Sequence, residues 1–234
     1  MSTGNLILRN PFRLNGHETE DDIIPEGGFG AVLARAGVGK TALLVQLALS
    51  TLLRSKNVLH ISLDDPVNKV SLWYKEVYRH LSKSYNADQT NQLWESLLPH
   101  RFIMTFKTDG FSVPKLEERL ADLAQQKIFS PQTIIIDGFP FEESAIEHLS
   151  RFKAFVEKLS MRVWFAVRTH RHKKPGPDGM PPPFSDVADL FDIVLQLQPE
   201  GKEVHVRVLK GEYAASGHSP LRLDPSTMLV KNNG

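Results

Sequence analysis

The sequence predicts an α/β protein: a mostly parallel, twisted sheet with helices on both faces and antiparallel strands at the C-terminal end. Three observations carry this. Strand-like and helix-like segments alternate from residue 28 to about residue 170, the pattern of parallel strands joined by crossover helices. A glycine-rich segment ending in Gly39-Lys40-Thr41 joins the first strand to the first helix. In the tail, KEVHVRVLKGEY and GHSPLRLDPSTMLV read as antiparallel strands.

The elements follow in order. Residues 1–27 are mixed and polar and read as an extended lead-in; residues 28–234 read as a single domain with no internal repeat. GGFGAVLA is a short apolar run opened by glycines, suited to a buried strand. KTALLVQLALSTLLRS has apolar residues at helical spacing and good helix formers. NVLHISL is the next strand, and DDPVNKVSLWYKEVYRHLSKS the next helix, with Pro66 suited to its first turn. ADQTNQLWESLL is helical and RFIMTF a strand. SVPKLEERLADLAQQKI is an amphipathic helix with Ser112 as its cap and Pro114 in its first turn. PQTIIIDGFPF holds a strand, EESAIEHLSRFKAFVEKLS a helix and MRVWFAVRT a strand. HRHKKPGPDGMPPP is a loop by its Pro and Gly content. FSDVADLFDIVLQLQP reads as a short helix entering a strand. Trp73, Tyr74 and Val77 sit at helical spacing and pack, Trp164 lies in a buried strand, and the acids of EESAIEH form a solvated face.

The bulk numbers bound the function. A chain of 234 residues with 41% hydrophobic and 24% charged residues is globular and long enough for a substantial core. A net charge of +1 provides no global field for nucleic acid or membrane, so any such contact needs a local patch. The chain has no cysteine, which excludes disulfides, zinc-thiolate sites and iron–sulfur clusters and fits a reducing compartment. No signal peptide is visible and no apolar run reaches the ~20 residues of a membrane span, so the expectation is a cytoplasmic protein without a membrane partner.

The chemistry concentrates in ARAGVGKT, residues 34–41. The segment matches the phosphate-binding pattern G-x-x-x-x-G-K-[ST], except that Ala34 stands at the first glycine. Such a loop wraps phosphates in backbone N–H groups at a helix N-terminus, and it needs glycine where φ is positive or a side chain would collide. Gly37 and Gly39 supply that. The expected binding set is Ala36, Gly37, Val38, Gly39, Lys40, Thr41 and Ala42, with Lys40 on the β- and γ-phosphates and Thr41 on Mg2+. The bland alternative is a glycine-rich turn with Lys40 exposed.

An acidic residue ending an apolar strand near Mg2+ is the second requirement. In TIIIDG, Asp137 stands at the C-terminal end of a strand, the edge where open parallel sheets bind ligands. The third is a carboxylate to polarise the attacking water. HISLDDP ends the strand after the loop helix with Asp64 and Asp65; either can be a base or a helix cap, and Asp64 is preferred as the base.

At this point the chain resembles the RecA-like P-loop ATPases, in the branch that holds the replicative hexameric DNA helicases and the KaiC-type clock ATPases. VLARAGVGKTALLVQLAL, HISLDD, TIIIDGFPF, FSDVADLFDIVLQL and VLKGEYAASG follow that order across residues 25–223. Helicases of this branch commonly open the loop with Ala-Arg, so Ala34-Arg35 resembles a functional variant. The first loop residue accepts a methyl group if its φ is negative. The resemblance implies ATP and Mg2+, with Lys40, Thr41 and Asp137 at the matching positions, and it places Asp64 where glutamate is usual. It puts a polar sensor at Thr169 or His170; His170 is either a γ-phosphate donor or a surface histidine. These ATPases often carry a K-x-R pair that reaches a neighbour's ATP. Lys210 matches the lysine, and Glu212 replaces the arginine. Homo-oligomers assembled through the Lys210 face are expected from the resemblance, and Glu212 then means that turnover is slow, that another cation acts in the arginine's place, or that the chain does not use that subunit contact.

Arg168, Arg171, Lys173 and Lys174 crowd one loop, which reads either as a solvated loop or as a grip on single-stranded nucleic acid. No aromatic residue lies among them to stack bases. His170-x-His172 lacks a third ligand and is a weak metal motif. The leading expectation is a Mg2+-dependent ATPase acting as an oligomer or with a partner. The alternatives are a nucleotide-gated regulator with little turnover, or a DNA-stimulated ATPase of replication or recombination. No guanine-reading N-K-x-D segment is present, which favours ATP over GTP.

Overall fold

The computed structural model describes residues 22–106, 111–141, 145–169, 176, 179–182, 184–211 and 221–231. The described chain forms β1 (Phe29–Ala34), α1 (Lys40–Leu52), β2 (Val58–Ser62), α2 (Val67–Ser82), α3 (Ala87–Leu97), β3 (Arg101–Thr105), α4 (Val113–Gln125), β4 (Thr133–Asp137), α5 (Ala145–Lys158), β5 (Arg162–Arg168), β6 (Ile193–Glu200), β7 (Glu203–Lys210), β8 (Leu221–Leu223) and β9 (Val230–Lys231). Short 3-10 turns span Leu98–His100 and Phe184–Leu190. The second of these is the short helix expected before β6.

The sheet has nine strands in the order β3-β2-β4-β5-β1-β6-β7-β8-β9. Pairing is parallel from β3 across to β6 and antiparallel from β6 to β9. Helices cover both faces of the parallel part. β1 shows why its sequence reads as a continuous apolar run rather than an alternating one. Phe29, Ala31 and Leu33 enter the core under α4, α5 and the Phe184–Leu190 turn, while Val32 and Ala34 enter the opposite core under α1 and α2. All six β1 residues are buried, because alternate side chains point to opposite covered faces.

The helices start for local reasons. Ser112 accepts the Lys115 amide at 3.4 Å, the cap expected for α4. Asn86 does the same for α3, accepting the amides of Asp88 and Gln89. Pro66 differs slightly from expectation: it occupies the extended N-cap position (φ −71°, ψ 158°), one residue before α2 begins. Within the expected lead-in, Ile24 is a core residue, and Asp22 pairs with Arg54, Lys56 and Arg162.

Tyr74 and Val77 are buried and Trp73 packs beside them, and Trp164 is 4% exposed in β5, as expected. Of the EESAIEH acids, Glu147 is exposed, while Glu142 and Glu143 lie outside the described residues.

Candidate functional site

The C-terminal ends of β1, β2, β4 and β5 meet at one edge of the sheet, where a parallel sheet offers its binding crevice. The loop from β1 to α1 lies there. Gly37 has φ +77° and Gly39 has φ +106°, values that L side chains adopt rarely and glycine adopts freely. Ala34, by contrast, is the last residue of β1, paired with Arg168, and its φ is not positive. A methyl group is therefore tolerated where the common pattern has glycine. The first loop position is strand, and only the two later ones turn left-handed.

Gly39 is the N-cap of α1. The first amides of any helix lack intrahelical acceptors, so those of α1 are the donors a phosphate would meet. Lys40 folds back over the loop. Its Nζ donates to the carbonyl oxygens of Ala34 at 3.2 Å and Arg35 at 3.1 Å. Burial lowers the Lys40 pKa below its ordinary value, and the Arg168 charge adds to this, while Asp137 and Asp64 favour the charged form. An ammonium held against loop carbonyls and partly desolvated is poised to exchange those carbonyls for anionic oxygens. Val38 packs onto the core beside α1, whereas Ala36 is exposed at the loop tip.

Thr41, in the first turn of α1, donates its hydroxyl to Asp137 Oδ2 at 2.7 Å. Burial raises the Asp137 pKa; the Thr41 hydrogen bond and the Lys40 charge oppose the shift. A buried carboxylate and a hydroxyl at contact distance are hard oxygen donors, the type Mg2+ takes alongside water and phosphate oxygens. Among the described residues no group of three or more His, Cys, Asp or Glu could cage a metal. Ala42 is buried in the α1 core, so only its backbone amide is offered towards the loop side.

The two adjacent aspartates separate. Asp65 accepts from Lys69 Nζ at 2.8 Å on the outside of α2, and its amide donates to Ser62 Oγ at 2.9 Å. Asp64 turns the other way. A Cβ placed on Gly138 would stand 3.0 Å from Asp64 Oδ2, so this carboxylate lies against the residue that follows Asp137. It acts electrostatically on both Lys40 and Asp137, and Asp65 also acts on Asp137. Asp64, Lys40, Thr41 and Asp137 form one cluster, with Asp65 at its edge and paired with Lys69.

Other expected residues are placed differently. The Thr169 amide donates to the Ala34 carbonyl at 3.0 Å, which ties the end of β5 to the start of the loop. His170, Arg171, His172, Lys173 and Lys174 lie outside the described residues, as does Glu212. Lys210, expected to face a neighbouring subunit, donates to its own chain instead. Its Nζ meets the Ala188 carbonyl at 3.0 Å and the Asp189 carbonyl at 3.4 Å, at the end of the Phe184–Leu190 turn.

Sequence reasoning passed over Gln46 and Met228, which tie the C-terminal segment to α1 and the loop. Gln46 carried a usable signal, a lone polar side chain in the apolar run ALLVQLAL. Met228 carried none.

Among the described residues no helix is long and apolar enough to cross a membrane. No curated protein matches the chain. A family model described as an AAA domain matches residues 19–145, which take in the loop, both aspartates after β2, and Asp137. With more than half of its length matched, and with this site at the C-terminal edge of a mostly parallel sheet, the chain belongs to the AAA domain family, P-loop NTPases of the RecA-like type.

Proposed function

We propose that this chain binds ATP with Mg2+ at the 34–42 loop and hydrolyses it. The observation that carries the reading is the meeting of Thr41 and Asp137 at 2.7 Å beside Lys40, which combines a phosphate cradle with a hard-oxygen cation site. The α1 amides hold the phosphates, and Lys40 exchanges the Ala34 and Arg35 carbonyls for β- and γ-phosphate oxygens. Thr41 and Asp137 hold Mg2+, which when bound neutralises the charge that develops on those oxygens. Asp64 accepts the proton of the attacking water. That water's oxygen bonds to the γ-phosphorus, the bond to the bridging oxygen breaks, and ADP and phosphate leave.

A second reading is a nucleotide-gated regulator with slow turnover, acting as an oligomer or with a partner. Lys210 supports it, since a cation bonded to its own carbonyls is not free to reach a neighbouring site. The one-methylene-shorter Asp64 supports it too. Single-stranded nucleic acid enters as a test, because the basic stretch after Arg168 starts at the same sheet edge.

The deciding experiment measures phosphate release from Mg-ATP by the full chain, with and without single-stranded DNA, beside Lys40→Ala. Turnover that disappears in the variant supports hydrolysis at this site. Tight Mg-ATP binding without turnover selects the regulator. Equal nucleotide affinity in the wild type and in Lys40→Ala removes the site assignment.

A further inference from the structure

The phosphate loop is held by a part of the chain that the nucleotide chemistry does not use. Gln46 lies on α1 and is 3% exposed in an otherwise apolar setting. A buried primary amide needs partners, because leaving one unpaired costs its full desolvation. Gln46 finds them 182 and 184 positions away. Its Nε2 donates to the Met228 carbonyl at 2.6 Å, and its Oε1 accepts the Val230 amide at 3.0 Å. One side chain thus pairs with extended backbone as a neighbouring strand would.

Met228 then meets the loop itself. Its Sδ lies 3.2 Å from the place where a Cβ on Gly39 would stand, with Leu223 Cδ1 at 3.8 Å behind it. Gly39 is the left-handed residue on which the direction of the first α1 amides depends. Met228 is itself left-handed at φ +57°, a sparsely populated conformation for a side chain of this kind. It is fixed by a dense turn. The Met228 amide donates to the Asp224 carbonyl at 2.6 Å, and the Asp224 amide donates to the Leu229 carbonyl at 2.8 Å. Ser226 donates both its amide and its hydroxyl to Asp224 Oδ1, and Lys231 pairs with Asp224 Oδ2 at 2.9 Å. Strained backbone persists where its surroundings over-determine it, and such strain clusters at functional sites.

We propose that the C-terminal hairpin braces the phosphate loop, and that Gln46 and Met228 are positioning residues of the nucleotide site. The inference rests on the nucleotide reading above and deepens it. Glycine has the most backbone freedom to lose, so an unheld Gly39 samples conformations that aim the α1 amides elsewhere. A hairpin seated on it meets that ordering cost before ligand arrives, and the ligand then binds more tightly. Linkage makes the effect reciprocal: whatever the brace adds to nucleotide affinity, the nucleotide adds to docking of the hairpin.

Amide hydrogen exchange on the full chain, with and without Mg2+ and a non-hydrolysable ATP analogue, tests this. The amides of residues 40–42 gain protection on binding, and the Val230 amide is expected to slow by about tenfold with them. Gln46→Leu is expected to abolish the Val230 response. Met228→Gly separates bracing from folding, because glycine adopts φ +57° without strain. It is expected to keep the urea midpoint of the nucleotide-free protein near the wild-type value and to weaken analogue binding by about tenfold. Met228→Leu, which retains a side chain over Gly39, is expected to restore affinity. Protection at residues 40–42 with an unchanged Val230 amide would overturn the brace and leave the nucleotide site standing. So would wild-type affinity in Met228→Gly. No protection at residues 40–42 would overturn the nucleotide site, and the brace with it.

Discussion

The Thr41 hydroxyl and the Asp137 carboxylate, 96 positions apart in sequence, sit 2.7 Å from one another at the mouth of the phosphate loop. Neither residue is unusual alone. Together they place a carboxylate and a hydroxyl beside Lys40, and they set the first expectation for mutagenesis. Asp137→Asn keeps an acceptor for Thr41 but removes the charge. Nucleotide binding in the variant is expected to lose its Mg2+ dependence. The nucleotide-free protein is expected to be no less stable at neutral pH. The sign follows from the raised Asp137 pKa: the folded state holds the proton more firmly than the unfolded one, so stability from this group falls as pH rises from 3.8 through the raised value. Titration of affinity against Mg2+, beside thermal melts, checks both parts.

Lys40→Ala removes the one ammonium that spans the loop. Charge-assisted hydrogen bonds contribute about 1.5–3 kcal/mol each, so nucleotide affinity is expected to fall at least about tenfold. Calorimetric titration with Mg-ATP is the measurement. An unchanged dissociation constant would falsify the placement of phosphates at this loop.

The separation of Asp64 from Asp65 yields a paired test. Asp64→Asn is expected to lower kcat by roughly 10²–10⁴-fold with nucleotide affinity retained, the range for loss of a general base. Asp65→Asn removes an exposed, solvent-screened ion pair with Lys69 and is expected to change stability and turnover little. Steady-state phosphate release from the two variants side by side reads the difference. Equal losses would mean that the two carboxylates are not divided between roles.

Away from the site, His60 is expected to contribute to the acid limb of stability. It is buried in β2 with Nδ1 3.1 Å from the Tyr74 hydroxyl, and the Arg101 guanidinium lies 4.8 Å from the Tyr74 ring centre. Burial, and then the Arg101 charge, push the imidazole pKa down to about 3, against a weaker opposing pull from Asp65. The unfolded chain therefore binds the proton more readily between pH 6.5 and about 3. Stability from this group is complete above pH 6.5 and is lost on acidification through that window, by up to about 1.4 kcal/mol per pH unit. His60→Gln is expected to flatten the slope. Urea unfolding at pH 7, 5.5 and 4.5 measures it, and identical slopes in both proteins would mean that the ring is not held neutral.

Much of this protein is legible in its residues because the relevant physics is local. Short apolar runs and helical apolar spacing mark the strands and helices, and Ser112 announces the start of α4. The left-handed turns at Gly37 and Gly39 follow from residue type, and so does a carboxylate at the end of TIIID. Pro66 stands at the N-cap rather than in the first turn of α2, since an extended N-cap and a first helical position both suit its fixed φ.

Tertiary structure decided what depends on approach between distant segments. HISLDDP holds two equivalent carboxylates; only the packing of β4 against β2 sets Asp64 against Gly138 and leaves Asp65 to Lys69. Lys210 looks outward in sequence and is bonded to Ala188 and Asp189 in the fold. The hold of Met228 and Val230 on Gln46 spans up to 184 positions, with no periodicity or motif to announce it. The sequence by itself determined the loop, the carboxylate at the end of β4 and the sheet that carries them, because propensity and φ act within a few residues. The choice of carboxylate and the brace behind the loop waited on folding, because a hydrogen bond or a van der Waals contact acts only between groups that the chain has brought within a few ångströms.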